Sequence, residues 1–212
     1  MHHRRRHVAP ADTGQQQGVL GAEVGTSLAI DMAIETHSIP FEWPDKVVKE
    51  AAKIPDTVRP AQLRDREDLR DLPLVTIDGE DARDFDDAVW CEPTRGGGFK
   101  LYVAIADVAS YVHPGTALDD EAQLRGTSVY FPNRVVPMLP EKLSNGICSL
   151  KPDVDRLCLA CELRIDANGE TTRSRFFAGV MRSHARLTYN QVWHAVGQRR
   201  PDALEAVAPV LP

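Results

Sequence analysis

Long hydrophobic runs are missing from this 212-residue chain. No apolar stretch approaches the roughly 20 residues that carry a helix across a bilayer, so no transmembrane helix is predicted. The N-terminus, MHHRRRHVAPADTGQQQ, is basic but has no apolar core behind its charges. It is a poor secretory signal, and the expected location is the cytoplasm. Cysteine is scarce: Cys91, Cys148, Cys158 and Cys161 are the whole set. Cys158 and Cys161 form one CxxC, but no second CxxC or CxxH follows, which leaves the usual zinc pattern incomplete. They lie in LCLACELRI, which reads as a strand, where positions three apart face opposite ways. They are expected to be small core residues. Positive charge is short as well. The net charge of −6 runs against the basic surface typical of nucleic-acid binding, although Arg164, Arg173, Arg175, Arg182 and Arg186 gather in one segment. A phosphate-binding loop is absent: Gly96-Gly97-Gly98 has no lysine or helix in register and reads as a turn.

What remains is a soluble globular profile, 42% hydrophobic and 26% charged. The length suits one ordinary domain plus an extension. Within it one stretch stands out, residues 74–89, LVTIDGEDARDFDDAV. Six acids, Asp78, Glu80, Asp81, Asp84, Asp86 and Asp87, sit between strand-like apolar runs. Carboxylates held a few ångströms apart repel, and the usual remedies are protonation or a bound cation. Hard oxygen ligands on a short irregular loop suit Mg²⁺ or Mn²⁺. The bland alternative is a solvated acidic loop. An EF-hand is excluded by spacing, since no DxDxDG with a glutamate at position twelve is present.

The pattern of an Asp, an Asp six positions on, and an Asp pair after one apolar residue resembles the acidic signature of the ribonuclease II / ribonuclease R family. Asp78, Asp84, Asp86 and Asp87 carry it. Three further phrases come after it in family order: LYVAIADVASYV at 101–112, RGTSVYFPNRVVPMLPEKLSNGICSL at 125–150 and RSHARLTYNQV at 182–192. The resemblance runs from about Val19 to about Val196. It implies Mg²⁺-dependent hydrolysis of RNA from the 3′ end to nucleoside 5′-monophosphates, with Mn²⁺ as the alternative ion. It implies that Asp78, Asp84 and Asp87 hold metal, and that Asp86 completes the site and positions the attacking water. It further implies that Tyr130 stacks on a base near the 3′ end of single-stranded RNA. On residues alone, Tyr130 reads as a core tyrosine with its hydroxyl satisfied.

The family's nuclease domain is longer than the stretch of this chain after Leu74, and it supplies an arginine and a glutamate from far downstream. The expected chain is therefore the metal-binding part of a nuclease with weak or no processive activity, either a fragment of a truncated or frameshifted gene or one half of a split enzyme whose other half is a separate chain. The alternative is a non-catalytic fragment that only binds RNA or a partner. A β-rich domain cut partway is also expected to expose core surface.

The fold class implied is α+β: part of an RNB-type catalytic domain, mainly antiparallel hairpins with flanking helices. Residues 1–18 are expected to be a disordered tail. Residues 19–40, whose second half alternates in β fashion, are expected to be the remnant of a cold-shock-type OB module. Residues 41–73 are a helical, charged linker, with Asp45 capping a helix and 55–72 facing water. Residues 74–212 are the N-terminal portion of the catalytic domain. Hairpins are predicted at Ala88–Val108 and Leu157–Met181, and helices over 117–125 and after Thr188. Three prolines stiffen the irregular stretch after Gly126, at Pro132, Pro137 and Pro140. Asp107 falls on the parity of an apolar face and calls for a partner, an arginine by preference.

Overall fold

The computed structural model describes residues 26–200, 202 and 203. The tail expected over 1–18 lies outside the described residues. The chain divides into two units, Met1–Pro40 and Phe41–Pro212.

In the first unit the expected strand is instead a helix, α1 (Thr26–Thr36), with Ile30 and Ile34 buried. The alternation of Leu28, Ile30, Met32 and Ile34 is real, but it is equally a helical Ile30/Ile34 pair at i, i+4. Ala29, Met32, Ala33 and Glu35 favour helix, and no glycine or proline interrupts them.

The second unit opens with α2 (Asp45–Lys53). Pro44, not Asp45, takes the N-cap position and gives no side-chain cap; Asp45 sits in the first turn, where its charge suits the helix dipole. A short 3₁₀ turn, Pro60–Leu63, comes after it. Next are β1 (Glu67–Asp68), β2 (Val75–Asp78), β3 (Asp87–Pro93) and β4 (Phe99–Ala106). Helix α3 (Ala117–Arg125) is capped by the Thr116 side chain and closed by Gly126 at φ +72. The proline-stiffened stretch holds a small hairpin, β5 (Val129–Phe131) with β6 (Arg134–Val136), then a π-helical turn at Leu143–Ile147. The long hairpin β7 (Asp155–Ile165) and β8 (Thr171–Arg182) leads to β9 (Ala185–Thr188) and α4 (Tyr189–Val192).

Seven strands form one sheet in the order β1-β8-β7-β4-β3-β2-β9. Its interior pairs are antiparallel, as the hairpin signals required, but both edge pairs, β1–β8 and β2–β9, are parallel. The turn between β3 and β4 needs its glycines. Gly97 has φ +80, and a Cβ on Gly98 would meet the Ile165 carbonyl at 2.1 Å.

The stretch expected to face water joins the sheet. Strand β1 lies in it, and Leu69 is buried in the main core. That core covers one face of the sheet with Tyr102, Ala104, Ala106, Cys158 and Ala160, closed over by Leu74, Phe85, Leu150 and Met181. A second core joins α2 and α3 to residues 139–148 through Val47, Leu118, Leu143 and Ile147. The cysteines are free; Cys158 is fully buried and Cys161 half-buried. The other sheet face bears Phe99, Ile105, Leu159 and Phe176, all exposed, Phe176 at 78%. Among the described residues no helix is long and apolar enough to cross a membrane.

Candidate active site

The acidic loop runs from the end of β2 to the start of β3. Asp78 ends β2 beside Thr188 of β9, and Asp87 opens β3 opposite Ile105. Between them the backbone is irregular, so its direction has to be set by contacts other than a ladder. At the front, the Arg186 guanidinium donates to the carbonyls of Gly79 and Glu80 at 2.6 and 2.5 Å and lies 5.6 Å from the Phe85 ring centre. Asn190 donates to the Glu80 side chain. At the back, Phe85 is buried in the main core. Its N–H donates to the Ser149 hydroxyl at 3.0 Å, and its carbonyl accepts from Leu150 N–H at 2.8 Å. The carbonyl of Asp86 accepts from Ala106 N–H at 2.8 Å. Glu80 and Asp81 are exposed, as are Asp86 and Asp87.

The four matched carboxylates feel one another. Asp78 is pushed above the ordinary carboxylate range, by burial first and then by the charge of Asp87, with the Thr76 hydroxyl and Arg186 opposing and Asp84 adding a smaller push. Asp86 moves the same way, by desolvation first and then through Asp84, Asp87 and Asp78. Asp78 Oδ2 and the hydroxyl of Thr76, two residues earlier, are buried and make no hydrogen bond of good geometry, although the hydroxyl is near enough to favour the charged carboxylate. A repelling set of hard oxygens with one buried and orphaned is chemistry that a divalent cation would satisfy. Among the described residues, however, no three His, Cys, Asp or Glu side chains converge as placed on a point where an ion would sit.

Asp84, together with Asp81, Ala82 and Arg83, lines one side of a cleft of about 670 Å³. The opposite side is the β5–β6 hairpin and the turn at Ser144 and Asn145. Tyr130 stands in this cleft, 64% exposed, and its hydroxyl donates to Asp84 Oδ2 at 2.9 Å. It is not a core tyrosine. Desolvation first, and then the contact with Asp84, raises its phenol above the ordinary range. One edge of the ring is thereby held at the acidic loop.

Asp107 has the partner its position demanded. Arg66 Nη2 lies 2.5 Å from its carboxylate, with both side chains nearly buried, and Ser110 donates to the same oxygen at 2.7 Å. The arginine came from the stretch expected to face water, so the pairing could be anticipated but the partner could not. Ser149, Arg156 and Arg186 carried no assigned role in the sequence. Only the phrases containing them hinted at one.

Residues 66–207 match the family described as the RNB domain. The chain belongs to the RNB family. Ribonuclease R of Escherichia coli is 57% identical over 193 residues, which is 91% of this chain and 24% of that protein. Two solved structures of Mycoplasma genitalium RNase R are also similar. The complex with double-stranded RNA has TM-score 0.81 and 36% identity, over 87% of this chain and 33% of that one. The complex with ribose-methylated single-stranded RNA has TM-score 0.80 and 34% identity, over 90% and 31%. This RNB chain thus spans about a quarter of the length of the curated relative. The RNB match begins at Arg66, so the ion-paired arginine and β1 fall inside the family domain.

Proposed function

We propose that this RNB domain takes part in Mg²⁺-dependent 3′→5′ hydrolysis of RNA to nucleoside 5′-monophosphates. The observation that supports this best is the position of Asp84. It belongs to the repelling carboxylate set and also walls the cleft that holds Tyr130. A group that reads the end of a chain and a group that handles charge at a phosphate are thereby neighbours.

In this reading Asp78, Asp84, Asp86 and Asp87 hold Mg²⁺, with Mn²⁺ as the alternative. Bound there, the ions supply a Lewis acid for the phosphate and a lowered pKa for the attacking water. Asp86 would complete that set and orient the attacking water. Tyr130 offers its exposed face to the terminal base of a single strand. Such stacking is tolerant of sequence and is worth about 1–3 kcal/mol per base.

A second reading is a domain that binds RNA or a partner chain without cutting. The absence of a converged carboxylate set among the described residues favours it. Single-turnover assays on labelled single-stranded RNA with Mg²⁺ separate the two. The catalytic reading expects stepwise shortening from the 3′ end by the native protein and none by Asp86→Asn. Equal product from both proteins refutes it.

A further inference from the structure

The hydroxyl of Ser149 bridges two backbone groups of the acidic loop on either side of one residue. It accepts from the N–H of Phe85 at 3.0 Å and donates to the carbonyl of Arg83 at 3.0 Å. These two groups belong to the peptide after Asp84 and the peptide before it. One oxygen therefore clamps the backbone of Asp84 from both sides. The next residue extends the clamp, since Leu150 N–H donates to the Phe85 carbonyl, on the peptide that precedes Asp86.

The clamp is itself held. Ser149 has no exposed surface. Its carbonyl accepts from Arg156 Nε at 2.8 Å, and the same guanidinium donates to the carbonyls of Gly146 and Asp155. Arg156 is buried on β7, within the sheet. Burial lowers its pKa from the ordinary arginine value, yet all three of its bonds go to neutral carbonyls rather than to a carboxylate. A buried cation spent on fixing a loop points to a need for rigidity there.

We propose that Ser149 is a positioning residue that sets the spacing of Asp84 and Asp86 for the cation they share. This rests on the reading of the four aspartates as metal ligands. Ser149 touches neither ion nor RNA; it fixes the peptide on which Asp84 is carried. Outer groups that orient metal ligands commonly change affinity by about 10–100-fold when removed. The Ser149→Ala variant keeps the volume of the site nearly constant and removes both bonds at once. The Phe85 N–H and the Arg83 carbonyl are then left to find other geometry, and Asp84 moves with them.

The experiment is Mn²⁺ titration of the full chain by electron paramagnetic resonance, with thermal melts of the same samples. The proteins are native, Ser149→Ala, Ser149→Cys and Ile147→Ala, the last a packing change two residues away that touches neither bond. Native protein is expected to bind Mn²⁺, and Ser149→Ala about 10–100-fold more weakly. Ile147→Ala should bind like the native protein although it melts lower. Ser149→Cys, nearly isosteric but with a weak donor and acceptor, should fall between native and alanine. It also carries the test if the alanine variant does not fold. No binding by the native protein overturns the metal reading and this proposal together. Binding by the native protein with unchanged affinity in the folded Ser149 variants overturns the positioning role alone. A loss in Ile147→Ala equal to that in Ser149→Ala does the same, because general destabilisation would then explain both.

Discussion

Replacing Arg66 by methionine should be among the most damaging single changes in this domain. The guanidinium serves four acceptors: Asp107 at 2.5 Å, Ser110 at 2.7 Å, and the carbonyls of Cys158 and Gly179 at 3.3 and 3.2 Å. The Arg66 and Asp107 side chains are 12% and 7% exposed, so water cannot replace what is lost. Removing one partner of a buried pair leaves an uncompensated charge and costs about 3–5 kcal/mol. For a domain of this size that corresponds to a melting shift of roughly 6–20 °C. Equilibrium unfolding in urea measures it directly. Arg66→Met with Asp107→Leu should recover much of the loss, because an apolar pair of similar volume carries no stranded charge. The site is affected too. The residue before Asp107, Ala106, donates to the Asp86 carbonyl, so slack at Asp107 is passed to the acidic loop. An Arg66→Met protein within about 1 kcal/mol of native would show that the pair is not buried in the sense argued.

Asp78 and Asp86 have folded-state pKa values above the ordinary 3.8, so between those limits the folded state holds more protons than the unfolded one. Their contribution to stability therefore falls as pH rises through the folded values. Melts in EDTA should show this fall, added Mg²⁺ should reverse it, and Asp86→Asn should flatten it; equal slopes in native and variant would contradict the repulsion. Burial pushes the thiols of Cys148 and Cys158 up to about 12. Thiolate is then negligible at pH 8, and brief alkylation of native protein followed by mass spectrometry should spare both while they react fully in denaturant. The exposed face around Phe176, Leu159 and Ile105 should bind an apolar dye. Phe176→Ser should reduce that fluorescence, and an undiminished signal would place the sticky surface elsewhere.

The two long hairpins and α3 were legible because local patterns decide them. Alternating runs with a glycine turn between them can do little else, and Thr116 and Thr188 each cap the helix that begins just after them. Strand β1 was not legible. It is two charged residues, Glu67 and Asp68, and it joins the sheet through backbone pairing to Gly179 and Val180, more than 100 positions away. No local signal announces such a pairing. Helix α1 shows the reverse failure, where an alternating pattern was satisfied by a helix. In the site, the acids declared themselves by charge. The groups that hold them, Ser149 and Arg186, did not, because a serine or arginine that bonds to distant carbonyls looks like any other in sequence.

The central claim is that Asp78, Asp84, Asp86 and Asp87 share a divalent cation. Crystals grown with Mn²⁺ and measured for anomalous scattering at the manganese edge test it most directly. The expected result is a strong peak in contact with oxygens from at least three of these aspartates, with the Asp78 oxygen that now lacks a partner among them. A map with no peak, and the four carboxylates turned toward separate regions of solvent, would contradict it.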